Sequence, residues 1–495
     1  MTADSLLVVD VGTSGVRAAI VRPDATIDHV HHVPVLPATP FPGLVEVDAR
    51  QIADAVLQVA QAALAEGGPV AGVGIANQRA TTVVWDRATG EPVAPGIGWQ
   101  DLRTVGTCLV MQAEGFRFPP NASATKLAAI LDDVDPDRRR AGDELCFGTI
   151  DTWTAWTLSG GASGGAVHVT DATNAGVTWM ARLSDLTWDE PTLAALRIPP
   201  GMLPRIVDSS GAVGEAHALP GAPMICGIAG DQQASLVGQG CTRAGLAKAT
   251  FGTGGMLDLC TGDERPVTLD RAAAGTFPIV GWQRGGIPRW GVEAMILSAG
   301  SCVEWLRDDL GLLQSAEESA TVAAQCADTG DVWFVPALLG LGTPVWDFGA
   351  RGTILGITRG TGRPELVRAV LEGVAHRGGD LLEAAEADSG LRVEALRVDG
   401  GMSANEVFVS ALADSIGRPV ELSAALEATT LGAGYLAGLA VGTWRDEEDV
   451  AASYTPRRTV EPTLGDAERA LRRERWLDAR GRSEGTIPEL SNIDF

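Results

Sequence analysis

Lysine is almost absent from this chain of 495 residues. Lys126 and Lys248 are the only lysines among 38 basic residues, and neither stands in a GxxxxGKS or GxxxxGKT sequence. A P-loop needs that sequence, because its lysine reaches the nucleotide phosphates and its backbone N–H groups surround them. The sequence therefore excludes a kinase of the P-loop type.

Long apolar runs and basic patches are missing as well. No stretch reaches the roughly 18 apolar residues needed to cross a membrane, and residues 1–10 lack a basic segment followed by an apolar one. The net charge of −25 argues against contacts with nucleic-acid phosphates, which need a basic face. We expect a cytoplasmic protein that binds neither a membrane nor a nucleic acid.

Metal-binding cysteine pairs are a third absence. The seven cysteines are scattered, with no CxxC pair and no histidine-rich partner segment at metal-ligand spacing. Cysteine has a low intrinsic cost of burial. We therefore predict reduced and mostly buried thiols.

The length of the chain predicts two large domains, because it exceeds what one ordinary core can organise. Residues 6–22 read as an apolar strand, a small-residue turn and a returning strand, and residues 246–262 repeat this pattern. We place the boundary near Gly245, between domains 1–245 and 246–495. No low-complexity linker separates the halves, so we expect them to abut across a hinged cleft.

Three glycine turns and a carboxylate suggest phosphoryl transfer. The turns follow Asp10, Phe251 and Asp399, and Asp231 stands where an apolar strand enters a helix. Phosphoryl transfer needs backbone donors for the phosphates, Mg²⁺ and a carboxylate that accepts the hydroxyl proton. One such turn alone is most often a plain hairpin turn. The combination, in the order that a duplicated nucleotide-clamping fold requires, favours a kinase.

The chain resembles the FGGY family of carbohydrate kinases, and most of all its glycerol kinase branch, from Asp10 to about Gly442. This resemblance implies an α/β fold of two RNase H-like domains of the actin and hexokinase type, with a mixed five-stranded sheet in each. The active site is then expected in the cleft between the domains, with ATP and Mg²⁺. The segments that carry the resemblance are GIANQRATTVVWDRATGEPVAPGIGWQDLRT, GTIDTWTAWTLSGG, HVTDATNAGVTWM, GIAGDQQASLVGQ, GLGTPVWDFGARGTILGITRG and RVDGGMSANEVF.

The resemblance also implies roles for single residues. Asp231 is expected to be the catalytic base that deprotonates the acceptor hydroxyl. Asp10 and Asp231 are expected at the metal, with Asp10 acting through water. Glu304 stands where glycerol kinases usually carry glutamine, which weakens that expected contact with adenosine. The nucleotide-binding residues implied in this way are Thr13, Ser14, Arg17, Gly252, Thr253, Gly254, Gly300, Glu304, Gly401 and Asn405.

The implied acceptor pocket departs from the family pattern. Ala80 replaces an acidic residue, Asn121 a tyrosine and Met256 a phenylalanine. Each lost hydroxyl partner weakens binding by roughly 1–3 kcal/mol. Two explanations stay open: a pocket enlarged for a longer acceptor, or drift in a poorly active relative. The acceptor-binding residues implied are Arg79, Ala80, Trp99, Asn121, Asp231, Gln232 and Met256.

Together these features predict an ATP-dependent kinase that phosphorylates a hydroxyl of a polyol or sugar. Glycerol is the leading acceptor, and erythritol, ribitol, xylulose and ribulose are the alternatives. A nucleotide-binding sensor without turnover is the rival from another class, and the retained Asp231 speaks against it. The resemblance further implies a homodimer or a homotetramer.

Overall fold

The computed structural model describes residues 4–163, 165–424 and 427–493. Most strands lie in one large sheet, and the remainder form small two-stranded sheets. The strands of the first half are β1 (Leu6–Val11), β2 (Gly15–Val21), β3 (Ile27–Pro34), β4 (Glu46–Val47), β5 (Gly72–Asn77), β6 (Val83–Asp86), β7 (Gly96–Ile97), β8 (Leu145–Gly148), β9 (Val169–Asp171), β10 (Ala181–Arg182), β11 (Thr187–Trp188), β12 (Arg205–Val207), β13 (Ser210–Glu215) and β14 (Met224–Gly230). Those of the second half are β15 (Ala247–Phe251), β16 (Gly255–Gly262), β17 (Phe277–Arg284), β18 (Ile287–Ile296), β19 (Trp333–Val335), β20 (Thr353–Leu355), β21 (Leu396–Asp399), β22 (Val420–Ser423) and β23 (Pro456–Val460).

The helices cover the faces of the large sheet and connect its parallel strands. Those of the first half are α1 (Ala49–Gly67), α2 (Val105–Ala113), α3 (Ser123–Val134), α4 (Ile150–Leu158), α5 (Ala172–Gly176), α6 (Glu190–Ala195) and α7 (Asp231–Gly238). Those of the second half are α8 (Gly300–Asp308), α9 (Glu318–Ala323), α10 (Arg363–Ser389), α11 (Glu406–Ile416), α12 (Ala428–Val441), α13 (Glu447–Ala452), α14 (Asp466–Gly481) and α15 (Pro488–Ser491).

Both halves contain the same five-stranded pattern, which confirms the predicted fold class. In the first half β1, β2 and β3 are antiparallel neighbours, and β5 and β14 add to them in parallel. In the second half β15, β16 and β18 form the antiparallel part, while β21 and β22 add in parallel. The apolar runs of β1 and β14 are buried, as expected for strands covered on both faces.

The two five-stranded patterns are joined into one sheet of 13 strands, which the sequence did not predict. The joint is a single residue pair, Ser210 of β13 with Arg284 of β17. Both strands are additions at the edges of the repeated pattern. At this point two strands that would otherwise be the edges of separate sheets become neighbours.

Helix α12 ties the two halves together. It belongs to the second half of the sequence but lies against β1, β5 and β14 of the first half. Leu436 of α12 and Leu6 of β1 belong to the same buried apolar cluster. Gly432 and Gly238 let α12 approach α7 closely, because a β-carbon at either position would clash with the backbone of the other helix. The halves therefore share part of their core.

The charged tail after about residue 456, to which the sequence assigned no chemistry, is part of the folded structure. Strand β23 extends the edge of the large sheet beside β22. Trp476 of α14 is fully buried, and its Nε1 donates to Asp380 of α10 over 3.1 Å. The tail thus packs against α10 and stabilises it.

Two expectations from composition can be compared with the structure. The seven cysteines are free thiols, and all but the half-buried Cys326 are buried, which confirms the predicted state of the thiols. In the described part of the chain, no helix combines the length and the apolar character needed to cross a membrane.

Candidate active site

Asp10 and Asp231 lie at the same edge of the sheet, at the carboxyl ends of β1 and β14. These strands flank β5, and Asn77 of β5 pairs with Val11 on one side and with Gly230 on the other. Neighbouring strands lie about 4.8 Å apart, so the two aspartates stand roughly 10 Å apart across β5. Burial raises the pKa of Asp10 to about 7, and the negative charge of Asp231 adds to this effect. Asp10 therefore senses the charge of Asp231.

The turn between β1 and β2 carries Thr13 and Ser14. The N–H of Gly12 donates to the carbonyl of Gly15 over 2.9 Å, which closes the turn and leaves Ser14 exposed. Nε1 of Trp99 donates to Oγ1 of Thr13 over 3.2 Å. The turn expected to meet the phosphates thus contacts the tryptophan expected to cover the acceptor.

Arg17 forms an ion pair with Glu427, just before α12. The two side chains are 30% and 35% exposed, so solvent screens the attraction between them. Such a pair stabilises the fold little. The expected role of Arg17 at the phosphates stays a prediction.

The glycine turn between β15 and β16 meets the start of α8. The N–H of Gly300 donates to the carbonyl of Gly252 over 2.8 Å, and the N–H of Ala299 donates to that of Thr253 over 2.9 Å. Gly400, with φ +85°, packs against Phe251, where a β-carbon would come within 2.5 Å of the Phe251 carbonyl oxygen. The turn at 252–254, Gly300 and the turn at 400–401 therefore lie together.

Glu304 and Asn405, the two side chains expected at adenosine, lie in different environments. Glu304 is exposed on α8, one turn after Gly300. Oδ1 of Asn405 accepts hydrogen bonds from two backbone N–H groups at the start of α11, and Nδ2 donates to Ser319 over 2.9 Å. The amide of Asn405 is thus already occupied as a helix cap.

Arg79 connects several of the predicted acceptor residues. Its Nε lies 3.5 Å from Oδ1 of Asp231, and its Nη2 donates to Sδ of Met256 over 3.5 Å. The Arg79 side chain crosses Gly230 so closely that a β-carbon there would stand 2.7 Å from its Cγ. Burial raises the pKa of Asp231, while Arg79 opposes that shift.

Lys126 organises the other side of the pocket. Its Nζ donates to the carbonyls of Gly98, Trp99 and Asn121 over 2.8, 2.9 and 3.3 Å. Burial lowers the pKa of Lys126 to about 7. The side chain of Asn121 is exposed, whereas Ala80 is buried with φ +61°. The structure thus places these two predicted acceptor residues in different environments.

Sequence comparison identifies the family. The profile for the N-terminal domain of the FGGY family of carbohydrate kinases matches residues 5–238, and the profile for its C-terminal domain matches residues 247–441. The chain belongs to the FGGY family of carbohydrate kinases. FGGY membership confirms the predicted resemblance and makes the chain an ATP-dependent phosphotransferase with an alcohol acceptor, which uses Mg²⁺.

FGGY relatives cover nearly the whole chain. The glycerol kinase of Carboxydothermus hydrogenoformans is 42% identical over 97% of this chain and 98% of its own length. The glycerol kinase of Dechloromonas aromatica is 42% identical over 97% of both chains. The crystal structure of Plasmodium falciparum glycerol kinase with ADP superposes with a TM-score of 0.89 at 27% identity, covering 99% of each chain. A xylulose kinase from Rhodospirillum rubrum, with a TM-score of 0.83 at 22% identity and coverage of 98% and 99%, shares the fold.

A buried set of ionisable residues beside this FGGY site was missed from the sequence. Glu293 of β18 lies 2.8 Å from Nη1 of Arg79, and Asp258 of β16 lies 2.7 Å from Nζ of Lys248. Lys248 also donates to Oε1 of Gln232 over 2.5 Å. Burial raises the pKa of Asp258 to about 7, which Lys248 opposes. The sequence signal that pointed to this buried set was Lys248, one of two lysines in the chain, inside the apolar strand β15.

The residues at the sheet edge fit the Mg²⁺ that FGGY kinases use. Mg²⁺ binds through one or two carboxylates together with waters and substrate phosphates. Asp10 and Asp231 supply two carboxylates at one edge, and a cation would relieve the repulsion that the charge of Asp231 exerts on Asp10. Within the described residues, no group of three or more His, Cys, Asp or Glu side chains forms a closed metal cage. The site therefore suits a cation that is held partly by the nucleotide.

Proposed function

We propose that the chain phosphorylates a hydroxyl of a small, neutral polyol, and that glycerol is its acceptor. The observation that carries this proposal is the grouping of Arg79, Gln232 and Met256 around Asp231 at the end of β14. Relatives named glycerol kinase that cover nearly the full chain support the same acceptor.

In the proposed mechanism, Asp231 accepts the proton of the acceptor hydroxyl as that oxygen attacks the γ-phosphorus of ATP. A carboxylate in this role must lie within hydrogen-bond reach of the hydroxyl and be only partly exposed. Arg79 donates to acceptor hydroxyls, and Trp99 covers the carbon chain. Mg²⁺, held by Asp10 and Asp231, would neutralise charge that develops on the phosphate oxygens.

The nucleotide is proposed to lie across both glycine turns. Backbone N–H groups near Thr13 and Ser14 hold one set of phosphate oxygens, and those of residues 252–254 hold another. Arg17 exchanges Glu427 for a phosphate. Adenosine lies near Gly300, Glu304, Gly401 and Asn405, where the amide of Asn405 keeps its capping role and the backbone makes the contact.

The proposed division of labour follows the two halves of the chain. Residues 1–245 bind the acceptor, and residues 246–495 bind most of the nucleotide. A homodimer or homotetramer in the cytoplasm is the assembly that we propose. Static light scattering of the purified protein measures the oligomeric state directly.

A panel assay tests the function. The purified protein is incubated with ATP, Mg²⁺ and one of glycerol, erythritol, ribitol, xylulose or ribulose, and ADP release is followed by coupled oxidation of NADH. We expect the highest kcat/KM with glycerol, and ³¹P NMR should show a phosphate monoester on a primary carbon. Faster turnover of a five-carbon acceptor would overturn the choice of glycerol. An absence of acceptor-stimulated turnover would instead favour a nucleotide sensor.

A further inference from the structure

The orientation of the Gln232 amide is set by a lysine from the other half of the chain. Nζ of Lys248 lies 2.5 Å from Oε1 of Gln232. An ammonium group only donates hydrogen bonds, so the amide oxygen must face it and the NH₂ group must face away. Gln232 follows Asp231 directly at the start of α7 and is only partly buried. Its two N–H donors are therefore available to a ligand beside Asp231.

Lys248 is itself fixed by its neighbours. It is 0% exposed, and so is Asp258, whose Oδ2 lies 2.7 Å away on the adjacent strand β16. Nζ also donates to Oγ1 of Thr250 over 3.2 Å. The ammonium thus forms an ion pair with a buried anion and donates to a hydroxyl and to an amide oxygen. It has no freedom to release Gln232 without leaving a buried donor unsatisfied.

Arg79 is held in the same way by Glu293. Glu293 is 5% exposed on β18, and its carboxylate lies 2.8 Å from Nη1 of Arg79. Nε of Arg79 lies 3.5 Å from Oδ1 of Asp231, and Nη2 donates to the weakly accepting sulfur of Met256 over 3.5 Å. Nη2 thus keeps donor capacity for an acceptor hydroxyl, on a guanidinium that the buried carboxylate of Glu293 and the amide oxygen of Gln233 hold at Nη1.

We propose that Lys248 and Glu293 are positioning residues that preset the acceptor pocket from the C-terminal half, by aiming the N–H donors of Gln232 and Arg79 at the acceptor hydroxyls. This inference rests on the proposed polyol kinase function. It explains why residues of β15 and β18 lie beside acceptor-binding residues that come mostly from the N-terminal half. In this arrangement neither Lys248 nor Glu293 touches the acceptor.

The orientation of Gln232 is tested first, with Gln232→Glu. A glutamate keeps the contact with Lys248 and gains an ion pair, but it has no N–H donors. We expect the acceptor KM to rise about 10-fold or more because the N–H donors are lost. The KM for ATP should change less than about 2-fold, and the melting temperature should stay the same. An unchanged acceptor KM would mean that the amide oxygen, not the NH₂ group, serves the acceptor, and would overturn the role of Lys248.

A double-mutant cycle tests Lys248 without leaving a buried charge unpaired. Lys248→Met combined with Asp258→Leu removes both charges together, which buried pairs often tolerate. We expect the acceptor KM to rise about 10-fold, and Gln232→Ala to add little in this background, because Gln232 is then already released. Fully additive effects, or a normal acceptor KM, would overturn the inference. The matched control removes another ion pair, Arg418→Met with Glu386→Leu, and should leave the acceptor KM unchanged.

Glu293→Gln tests the second positioning residue with a side chain of the same shape. We expect the acceptor KM to rise about 10-fold, with the KM for ATP unchanged, because a neutral amide holds the guanidinium less firmly than a carboxylate does. Equal losses of affinity for both substrates would indicate a purely structural role and overturn the assignment. If the wild-type protein phosphorylates no polyol, the proposed function fails. The other case is that the wild-type protein phosphorylates a polyol while Gln232→Glu, Lys248→Met with Asp258→Leu, and Glu293→Gln all keep a normal acceptor KM. In that case only this inference fails.

Discussion

Gly300 lies against Gly252 so closely that a β-carbon on Gly300 would come within 2.6 Å of the Gly252 carbonyl oxygen. The two glycines are far apart in the sequence, yet a hydrogen bond of 2.8 Å joins them. The contact sets the start of α8 directly on the turn between β15 and β16. The proposed phosphate turn and the proposed adenosine helix are therefore one rigid unit.

Gly300→Ala should push the start of α8 away from the turn between β15 and β16, because the new methyl group must displace the backbone at Gly252. We expect the dissociation constant for ATP to rise about 10-fold and the free energy of unfolding to fall by about 1–3 kcal/mol. Calorimetric titration with a non-hydrolysable ATP analogue and urea denaturation measure the two effects. Gly142→Ala, at a turn position with open space around it and no positive φ, is the control and should change neither. Normal nucleotide affinity in Gly300→Ala would contradict the proposed site.

Asp231→Asn should abolish turnover while leaving the nucleotide bound. The amide cannot accept the hydroxyl proton, and loss of a general base lowers kcat by roughly 100- to 10,000-fold. Single-turnover ADP release measures the chemical step, and titration with the ATP analogue measures binding. Asp24→Asn, on the exposed surface, serves as the control. An undiminished kcat would remove Asp231 as the base.

The stability of the fold should fall in mild acid because His376 is buried and His168 is half-buried, both in neutral form. Burial lowers the pKa of His376 to about 4 and that of His168 to about 4. An unfolded histidine titrates near pH 6.5. Above that pH neither state binds the proton. Between about pH 6.5 and 4 only the unfolded chain binds it, so the free energy of unfolding decreases as pH falls.

His376→Phe should reduce this pH dependence. His376 stacks on Trp476 with ring centroids 5.1 Å apart, and phenylalanine can take the same place. We expect the variant to lose less stability than the wild type between pH 7.5 and 4.5, by up to about 2–3 kcal/mol. Urea midpoints at the two pH values measure the difference. The exposed His217 provides the control His217→Asn, which should follow the wild type, and an unchanged slope in His376→Phe would refute the assignment.

The sequence predicted the repeated strand pattern and the two aspartates because both depend on local signals. An apolar run of strand length followed by a glycine turn marks β1 and β15 without any knowledge of distant contacts. Lys248 stood out as a rare lysine inside an apolar strand, but no local signal named Asp258 as its partner, since pairing between β15 and β16 decides that one neutralises the other. The capping role of Asn405 was missed for a related reason. An asparagine before a helix reads equally well as a cap or as a ligand contact.

Asp380 pairs with arginines of the charged tail, a contact that the sequence did not predict. Its carboxylate is buried among Arg377, Arg473 and Arg480, and two of these arginines come from α14. Burial tends to raise the pKa of Asp380, but the three arginines outweigh it and hold the pKa below its usual range. Nothing in the charge pattern of the tail named this aspartate as the partner.

Asp380→Asn should leave three arginines around a neutral side chain. Removing one partner of a buried ion cluster costs about 3–5 kcal/mol, because the remaining charges lose their compensation. We expect urea denaturation to show a loss of this size and proteolysis to cut the tail first, since α14 depends on the cluster. Asp466→Asn removes a carboxylate that is 97% exposed and pairs with Arg469, so it should cost less than about 1 kcal/mol. Equal effects of the two substitutions would show that the tail is held by Trp476 and its apolar neighbours rather than by charge.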